Sequence, residues 1–415
     1  MNAEAPGRGR GLLAGGRSLG FGPNWFARLW TGGFHRILDK IDAGLERGSI
    51  RATLPDGSTR LLGGREPGFD AEITLHSARA LLRLATGGSV GWYQAWEAGE
   101  WDSPDPVPIF ALFMDNAGAL GDTGRASGPW RLLMRMLHGL HRNSRSGSLR
   151  NIHAHYDLGN DFYAAWLDPT MSYSSARYEG NDCALETAQR HKIATIADRV
   201  AGSDTVLEIG CGWGSLAREL ADRGAAVTAL SLSDEQLGWA RREHGGVSID
   251  FRKQDYRDVT GQFDGIVSVE MVEAVGREYW PAFFDCIARC LKPDGRAAVQ
   301  FIAMRSDIFE GYARSADFIQ TYIFPGGMLI EESEFRRLAE ERGLEWTARE
   351  GFALDYARTL RQWRANFDEA VRLGRLPAGF DEPFVRLWRF YLMYCEGGFR
   401  GRGIDVAQVT LVKRA

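Results

Sequence analysis

No stretch of about 18 consecutive uncharged apolar residues occurs in the sequence, which excludes a membrane-spanning helix. Cysteine is scarce: five residues, at 183, 211, 286, 290 and 395, odd in number and without pattern. That favours reduced thiols in a cytosol over a disulfide framework. Neither sign of charge dominates. Lys and Arg total 50, Asp and Glu 54, and the formal net charge is −4, so a globally basic nucleic-acid binder is excluded while a local basic patch is not. The N-terminus, MNAEAPGRGRGLLAGGRS, lacks the continuous apolar core of a secretory signal and reads as a flexible arm over residues 1–20. No internal repeat is present.

What the chain has is bulk and aromatics. Its 415 residues suggest two to three domains, and 44% hydrophobic with 25% charged residues suits a globular protein with a large core. The 13 Trp, 22 Phe and 50 Gly are unusual; the aromatics imply large apolar walls, as core or as a pocket.

Residues 21–115 read as a small α+β domain. NWFARLW and FHRILDKIDAGL have helical spacing, SIRATLPDGSTRLLG reads as a hairpin about Pro55-Asp56-Gly57, and AEITLHSARALLRLATGG runs from strand to helix and ends on Gly87-Gly88. Residues 116–150 read as a basic linker helix. From Thr123 to Tyr156 there is no acidic residue, and Arg125, Arg131, Arg135, Arg142, Arg145 and Arg150 all fall there. WRLLMRMLHGLHR is either an interdomain helix with a solvated basic face or an interfacial helix on anionic lipid, where each cation contributes roughly 1 kcal/mol. Residues 151–415 form the remaining domain. From about 195 onward strands (TVLEIG, AVTALSL, GIVSVEM, AAVQFI) alternate with helices, which predicts a doubly wound parallel α/β sheet. Ser233 with Gln236 forms a capping box, and AQVTLVK is a C-terminal strand for one edge.

The sharpest motif is Glu208-Ile209-Gly210-Cys211-Gly212-Trp213-Gly214, where a strand hands over to a helix. A dinucleotide fingerprint needs Gly at the sixth position of G-x-G-x-x-G, where Ser215 stands. The spacing G-x-G-x-G with Glu208 before it suits S-adenosylmethionine, which carries no phosphate to cradle. Asp255-Tyr256 follows: an Asp there can accept a hydrogen bond from the adenine amino group, with the aromatic stacking on the ring. Leu230-Ser231-Leu232-Ser233 lacks an acidic residue for a ribose diol, and hydroxyls with Gln236 substitute.

Taken together, NIHAHYDLGNDFY (151–163), LDPTMSYSSA (167–176), LEIGCGWG, KQDYRD, SVEMVEAVG (268–276), YIFPGG (322–327), Asp355-Tyr356 and YCEGGFR (394–400) resemble the cyclopropane-fatty-acyl-phospholipid synthase and mycolic acid cyclopropane synthase family. Residues 21–115 more loosely resemble the lipid-interacting domain of full-length bacterial synthases. The resemblance implies a seven-stranded, Rossmann-like class I methyltransferase domain. It implies cofactor contacts at Tyr173, Ser174, Gly210, Gly212, Ser231, Gln236, Asp255 and Tyr256, beside Glu208 and Gly214 of the loop. It also implies a bicarbonate ion held by Glu273 and Tyr356, with Cys395 close to it. Two positions depart from the family: its Cys after Tyr-Ser is Ser175, which serves if the backbone N–H is what counts, and its bicarbonate-binding His is Gln300. An amide donates one hydrogen bond but carries no charge, so anion binding is weaker or differently organised.

The substrate implied is a cis double bond in a membrane phospholipid acyl chain. An alkene is a poor nucleophile, so the methyl must be held in line in a dry site. Methyl transfer leaves a carbocation that aromatic faces can stabilise, and Phe352, Tyr356, Trp363, Phe367, Phe384, Trp388, Phe390, Tyr391, Tyr394 and Phe399 supply them, more than half expected as plain core. Ring closure needs a base for one methyl proton. Glu273 would orient the bicarbonate and Tyr356 donate to it, while Glu270 could sit only at the strand end. No metal site is expected. The expected product is a cyclopropane chain, with a methylene-bridged or methyl-branched chain as the alternative; a non-catalytic lipid binder and methylation of a small polar amine are further readings. The expected setting is the cytoplasmic, anionic face of a membrane, without nucleic acid; a homodimer is one option the sequence leaves open.

Overall fold

The computed structural model describes residues 8–17, 31–121, 158–315 and 317–414. The basic stretch 123–150, the segment NWFARLW and the motif NIHAHYD lie outside them. By internal contact the chain divides into two units, one of residues 1–141, 305–325 and 379–404, the other of 142–304, 326–378 and 405–415. These are not the linear boundaries expected.

The first unit carries a four-stranded sheet in the order β2-β1-β3-β4, made of β1 Arg47–Thr53, β2 Thr59–Gly63, β3 Glu66–Leu75 and β4 Trp101–Asp102. The β1–β2 hairpin forms where expected: Asp56 accepts from the Ser58 N–H (2.9 Å) and hydroxyl (2.6 Å), and Gly57 takes φ 83°. The arm of residues 1–20 includes a helix, Arg10–Arg17. The helix beginning at Arg79 does not stop at Gly87-Gly88. It kinks at Gly88 (φ 56°) and runs on to Glu97 because Val90, Trp92, Tyr93 and Ala95 beyond the kink are buried. Helix Glu382–Arg400 belongs to this unit because Phe390 packs against Tyr93 (5.1 Å), Phe110 (5.2 Å) and Phe318 (4.8 Å). The aromatic-rich C-terminal third is thus split between the two units.

The second unit holds an eight-stranded sheet. Seven strands follow the order β11-β12-β9-β8-β5-β6-β7, and β10 Ile330–Glu331 pairs beside β9. They are β5 Thr205–Ile209, β6 Ala226–Ser231, β7 Ile249–Lys253, β8 Phe263–Val269, β9 Leu291–Met304, β11 Leu344–Gly351 and β12 Ile404–Lys413. β5 to β9 pair in parallel and β11 with β12 antiparallel. The C-terminal strand is not at the edge: β12 lies between β9 and β11 and is buried almost throughout, as its apolar run demands, while the polar LEWTAREG of β11 takes the edge. Ile193, Ile196, Val206, Leu216, Val227, Leu237 and Val267 pack as one core about β5, β6 and β8. Among the described residues, no helix is long and apolar enough to cross a membrane.

Candidate functional site

In an open parallel sheet, ligands meet the carboxyl ends of the strands. Here β5 ends in the glycine loop, β6 in Ser231 and β8 in Glu270. Gly210, Gly212 and Gly214 have φ of 84°, 52° and 92°, which side chains rarely adopt. A side chain at Gly214 would strike His244, Ala240 and Phe251, whereas one at Gly212 would point into open space. Gly214 thus serves the fold and Gly212 leaves the loop face free. Ser233 caps helix Asp234–Glu243 by accepting from the Gln236 N–H, as expected, and the Ser231 hydroxyl donates to Gln236 Oε1 (3.1 Å).

Glu208 is buried at 3% exposure, and its Oε2 has no hydrogen-bond partner. Burial pushes its carboxyl up to about 8, against the pull of Lys192. Lys192, on helix Leu185–Arg199, is also buried; loss of water pulls its ammonium down to about 8, against the attraction of Glu270, Asp168 and Glu208. Lys192 Nζ donates to Ser174 Oγ (2.7 Å), and Gln189, one turn earlier, donates to the Ser174 carbonyl (2.9 Å). Since an ammonium only donates, Ser174 accepts in this bond and its own O–H is not used in it. Ser215 anchors the same segment by donating to the Thr170 carbonyl (2.5 Å).

These residues fit S-adenosylmethionine. A buried carboxyl group with an unpaired oxygen, a serine hydroxyl and the open face at Gly212 suit a ligand with ammonium, carboxylate and sulfonium groups. Two expected contacts are arranged otherwise. The Asp255 carboxylate is held by Arg257 through Nε (2.9 Å) and Nη2 (2.5 Å). The Tyr256 ring packs inward, edge-on to Phe283, and burial pushes its hydroxyl up.

The second cluster centres on a residue the sequence placed only at a strand end. Glu270 follows β8 in the left-handed region, φ 50°, at a cost of about 1 kcal/mol for a non-glycine residue. Its Oε1 accepts from the Ser175 N–H (2.9 Å) and Gln300 Nε2 (2.8 Å), and its Oε2 from the Tyr356 hydroxyl (2.7 Å). Burial pushes its carboxyl up; these three donors and Lys192 pull it down. Glu273 contrasts with it. Its Oε1 accepts from the Ile302 N–H, its Oε2 has no partner, and burial with the neighbouring Glu270 pushes it up to about 8. Glu273 is therefore the group that keeps its proton at neutral pH, while Glu270, whose two oxygens accept from three donors, is the one arranged to serve as a carboxylate.

This corrects the expected pairing. Tyr356 serves Glu270 rather than Glu273, and Ser175, Gln300 and Tyr356, the donors for a bicarbonate, are each engaged by Glu270. The residues present do not fit a separate bicarbonate. Cys395 lies half-buried on helix Glu382–Arg400 in the first unit, where burial and Asp317 push its thiol up, away from the reactive thiolate. Trp363, fully buried, lies 5.3 Å from the Tyr173 ring and 6.2 Å from Tyr356, so aromatic faces adjoin both clusters. Sequence reasoning missed Lys192, Gln189 and Gln408. The signal was there for two of them: Gln189 and Lys192 fall on the i, i+3/i+4 stripe of Leu185, Ala188, Ile193 and Ile196 that faces the core.

The sheet and the loop at β5 define a class I methyltransferase fold. The family described as mycolic acid cyclopropane synthetase matches residues 143–409, and the chain belongs to it: it is an S-adenosylmethionine-dependent methyltransferase of cyclopropane-synthase type. It is 36% identical over 385 residues to the tuberculostearic acid methyltransferase UfaA1 of Mycobacterium tuberculosis, covering 88% of both chains. It is 32% identical over 353 residues to the cyclopropane-fatty-acyl-phospholipid synthase of Escherichia coli K12, covering 82% of this chain and 87% of that protein. Among solved structures, the mycolic acid cyclopropane synthase CmaA1, complexed with SAH and CTAB, is similar with a TM-score of 0.60 at 31% identity, over 64% of this chain and 98% of that one.

Proposed function

We propose that this enzyme alkylates the cis double bond of an unsaturated phospholipid acyl chain and that Glu270 is its resident base. The observation that carries this is the carboxylate of Glu270 held by three donors, Tyr356 among them, at the end of β8, the strand that pairs with the one leading into the cofactor loop. S-adenosylmethionine, when bound, supplies an electrophilic methyl. Glu208, Ser174 and the loop at Gly212 hold that donor, and Trp363 with Tyr173 presents aromatic faces to the cation formed on the chain. Glu270 then takes one proton from the added methyl group. The C–H electron pair closes a cyclopropane ring, or after hydride migration makes a methylene branch. The ring is the primary reading. The branched product is the second, favoured by Gln300 and Glu270 standing where the family holds a bicarbonate, and by similarity to a methyltransferase named for tuberculostearic acid. The basic stretch 123–150 suits docking on anionic lipid, at the cytoplasmic face of a membrane.

The test uses trideuteromethyl-labelled S-adenosylmethionine and vesicles of unsaturated phospholipid. Proton loss to Glu270 leaves two of the three deuterons in the product fatty acid. Resistance to hydrogenation identifies the ring and uptake of hydrogen the branch. No label in lipid, or retention of all three deuterons, rejects the reading. Removal of dissolved carbonate is expected to leave the rate unchanged, because the anion is covalently part of the chain. A rate that bicarbonate restores by more than about tenfold would return the base role to an added ion.

A further inference from the structure

Gln300 can help Glu270 only if its amide nitrogen faces the carboxylate. Turned over, it would present its oxygen to a negative charge. Its neighbour on the other side is Gln408 of β12, also fully buried, whose Nε2 donates to Gln300 Oε1 (3.1 Å). Gln408 Oε1 in turn accepts from Arg177 Nη1 (3.3 Å) and Arg199 Nε (3.3 Å). Guanidinium groups donate and never accept. Two of them on one side of Gln408 therefore fix which end of its amide points their way, and so which end points at Gln300. Both arginines are steadied by Glu350, at 2.8 and 3.2 Å.

We propose that Gln408 is a positioning residue, relaying the fixed polarity of Arg177 and Arg199 through its amide so that Gln300 is locked as a donor to Glu270. The inference rests on the reading of Glu270 as the base. The arrangement assigns a purpose to a buried pair of amides on β9 and β12 that packing alone would fill better with apolar groups. The other charged or titratable groups facing Glu270 are Tyr356, Lys192 and Glu273. The hydrogen-bonded route from Gln408 to Glu270 runs through Gln300.

The test is Gln408→Glu. The new side chain has the same shape and pairs with both arginines, but it has no N–H to give. Gln300 then turns its nitrogen to the new carboxylate and its oxygen to Glu270. Turnover at neutral pH is expected to fall about fivefold, with the acid limb of the pH–rate profile moved up by about one unit, while S-adenosylhomocysteine affinity and the melting midpoint hold. Gln408→Leu, which deserts both arginines and leaves Gln300 free to turn either way, should lose only about twofold in rate yet melt lower. A purely structural role predicts the opposite order, with the Leu variant the slower. A Gln408→Glu protein with the wild-type pH profile overturns the proposal. Should that variant melt early, Gln408→Leu decides: a smaller upward move of its acid limb supports the lock, and a wild-type profile overturns it. Glu270→Gln separates the two levels. If that variant keeps its activity, the base reading itself has failed. If it is inactive while Gln408→Glu behaves as wild type, only the lock has.

Discussion

Changing Glu270 to glutamine is expected to slow lipid alkylation at least about a hundredfold, the usual weight of a positioned base, and to leave S-adenosylhomocysteine binding within about twofold. Glutamine keeps the size of the side chain; its one oxygen can still accept from Ser175 and Gln300 while its amide nitrogen donates to the Tyr356 hydroxyl oxygen, so the loss reads chemistry rather than folding. The same change at Glu273 should do little. Glu273 is pushed up to about 8 by burial and by Glu270, so at neutral pH it already carries a proton, and an amide imitates it. The pair of variants reverses the roles that sequence comparison alone assigns. Equal loss in both would mean that the two carboxylates act as a unit; a dead Glu273→Gln beside an active Glu270→Gln would reinstate Glu273 as the centre. A profile against pH adds the sign. Glu270 works ionised, so the rate should rise with pH through the value at which it loses its proton, and Tyr356→Phe, which removes one of three donors, should move that limb upward.

Much of this was legible before the structure. Strands and helices alternate plainly from 205 to 304, and the spacing of Gly210, Gly212 and Gly214 after Glu208 names the donor class on chemical grounds. The hairpin at Asp56-Gly57 and the cap at Ser233 follow from local hydrogen bonding, which sequence carries well. What failed was long-range. β12 reads as an edge strand because nothing local says that LEWTAREG will pair outside it. The kink at Gly88 reads as a stop because burial of Trp92 and Tyr93 overrides the glycine. Glu270 reads as a strand end because its left-handed φ, and the convergence of Ser175, Gln300 and Tyr356 from positions up to 181 residues apart in number (175 against 356), are products of the sheet. The division into two units is likewise invisible along the chain: Tyr356 and Tyr394 look like one aromatic run and belong to different units.

Lys192→Met is the second large effect expected, a fall in kcat/KM of about a hundredfold, most of it in S-adenosylmethionine affinity. Removing one partner of a buried charged cluster strands the others, and stranded carboxylates take up protons instead. Glu208, Asp168 and Glu270 all feel the Lys192 charge, so without it each is harder to ionise, and Ser174 loses the Lys192 donor to its hydroxyl oxygen. The variant should therefore recover in part as pH rises, whereas wild type should decline as pH climbs past about 8 and Lys192 itself loses its proton. Stability follows the same groups with opposite sign. Glu208, raised from 4.5 to about 8 in the fold, binds a proton there that the unfolded chain releases, so the ligand-free protein should weaken as pH rises from about 4.5 to 8. Glu208→Gln should melt higher than wild type at pH 8 and bind the donor less well, a buried acid kept for its ligand at the expense of the fold. Ser174→Ala combined with Lys192→Met should cost no more affinity than Lys192→Met alone, because the lysine acts on the ligand partly through that hydroxyl. Fully additive losses, or a Lys192→Met protein with wild-type affinity and pH profile, would reduce Lys192 to a packing residue.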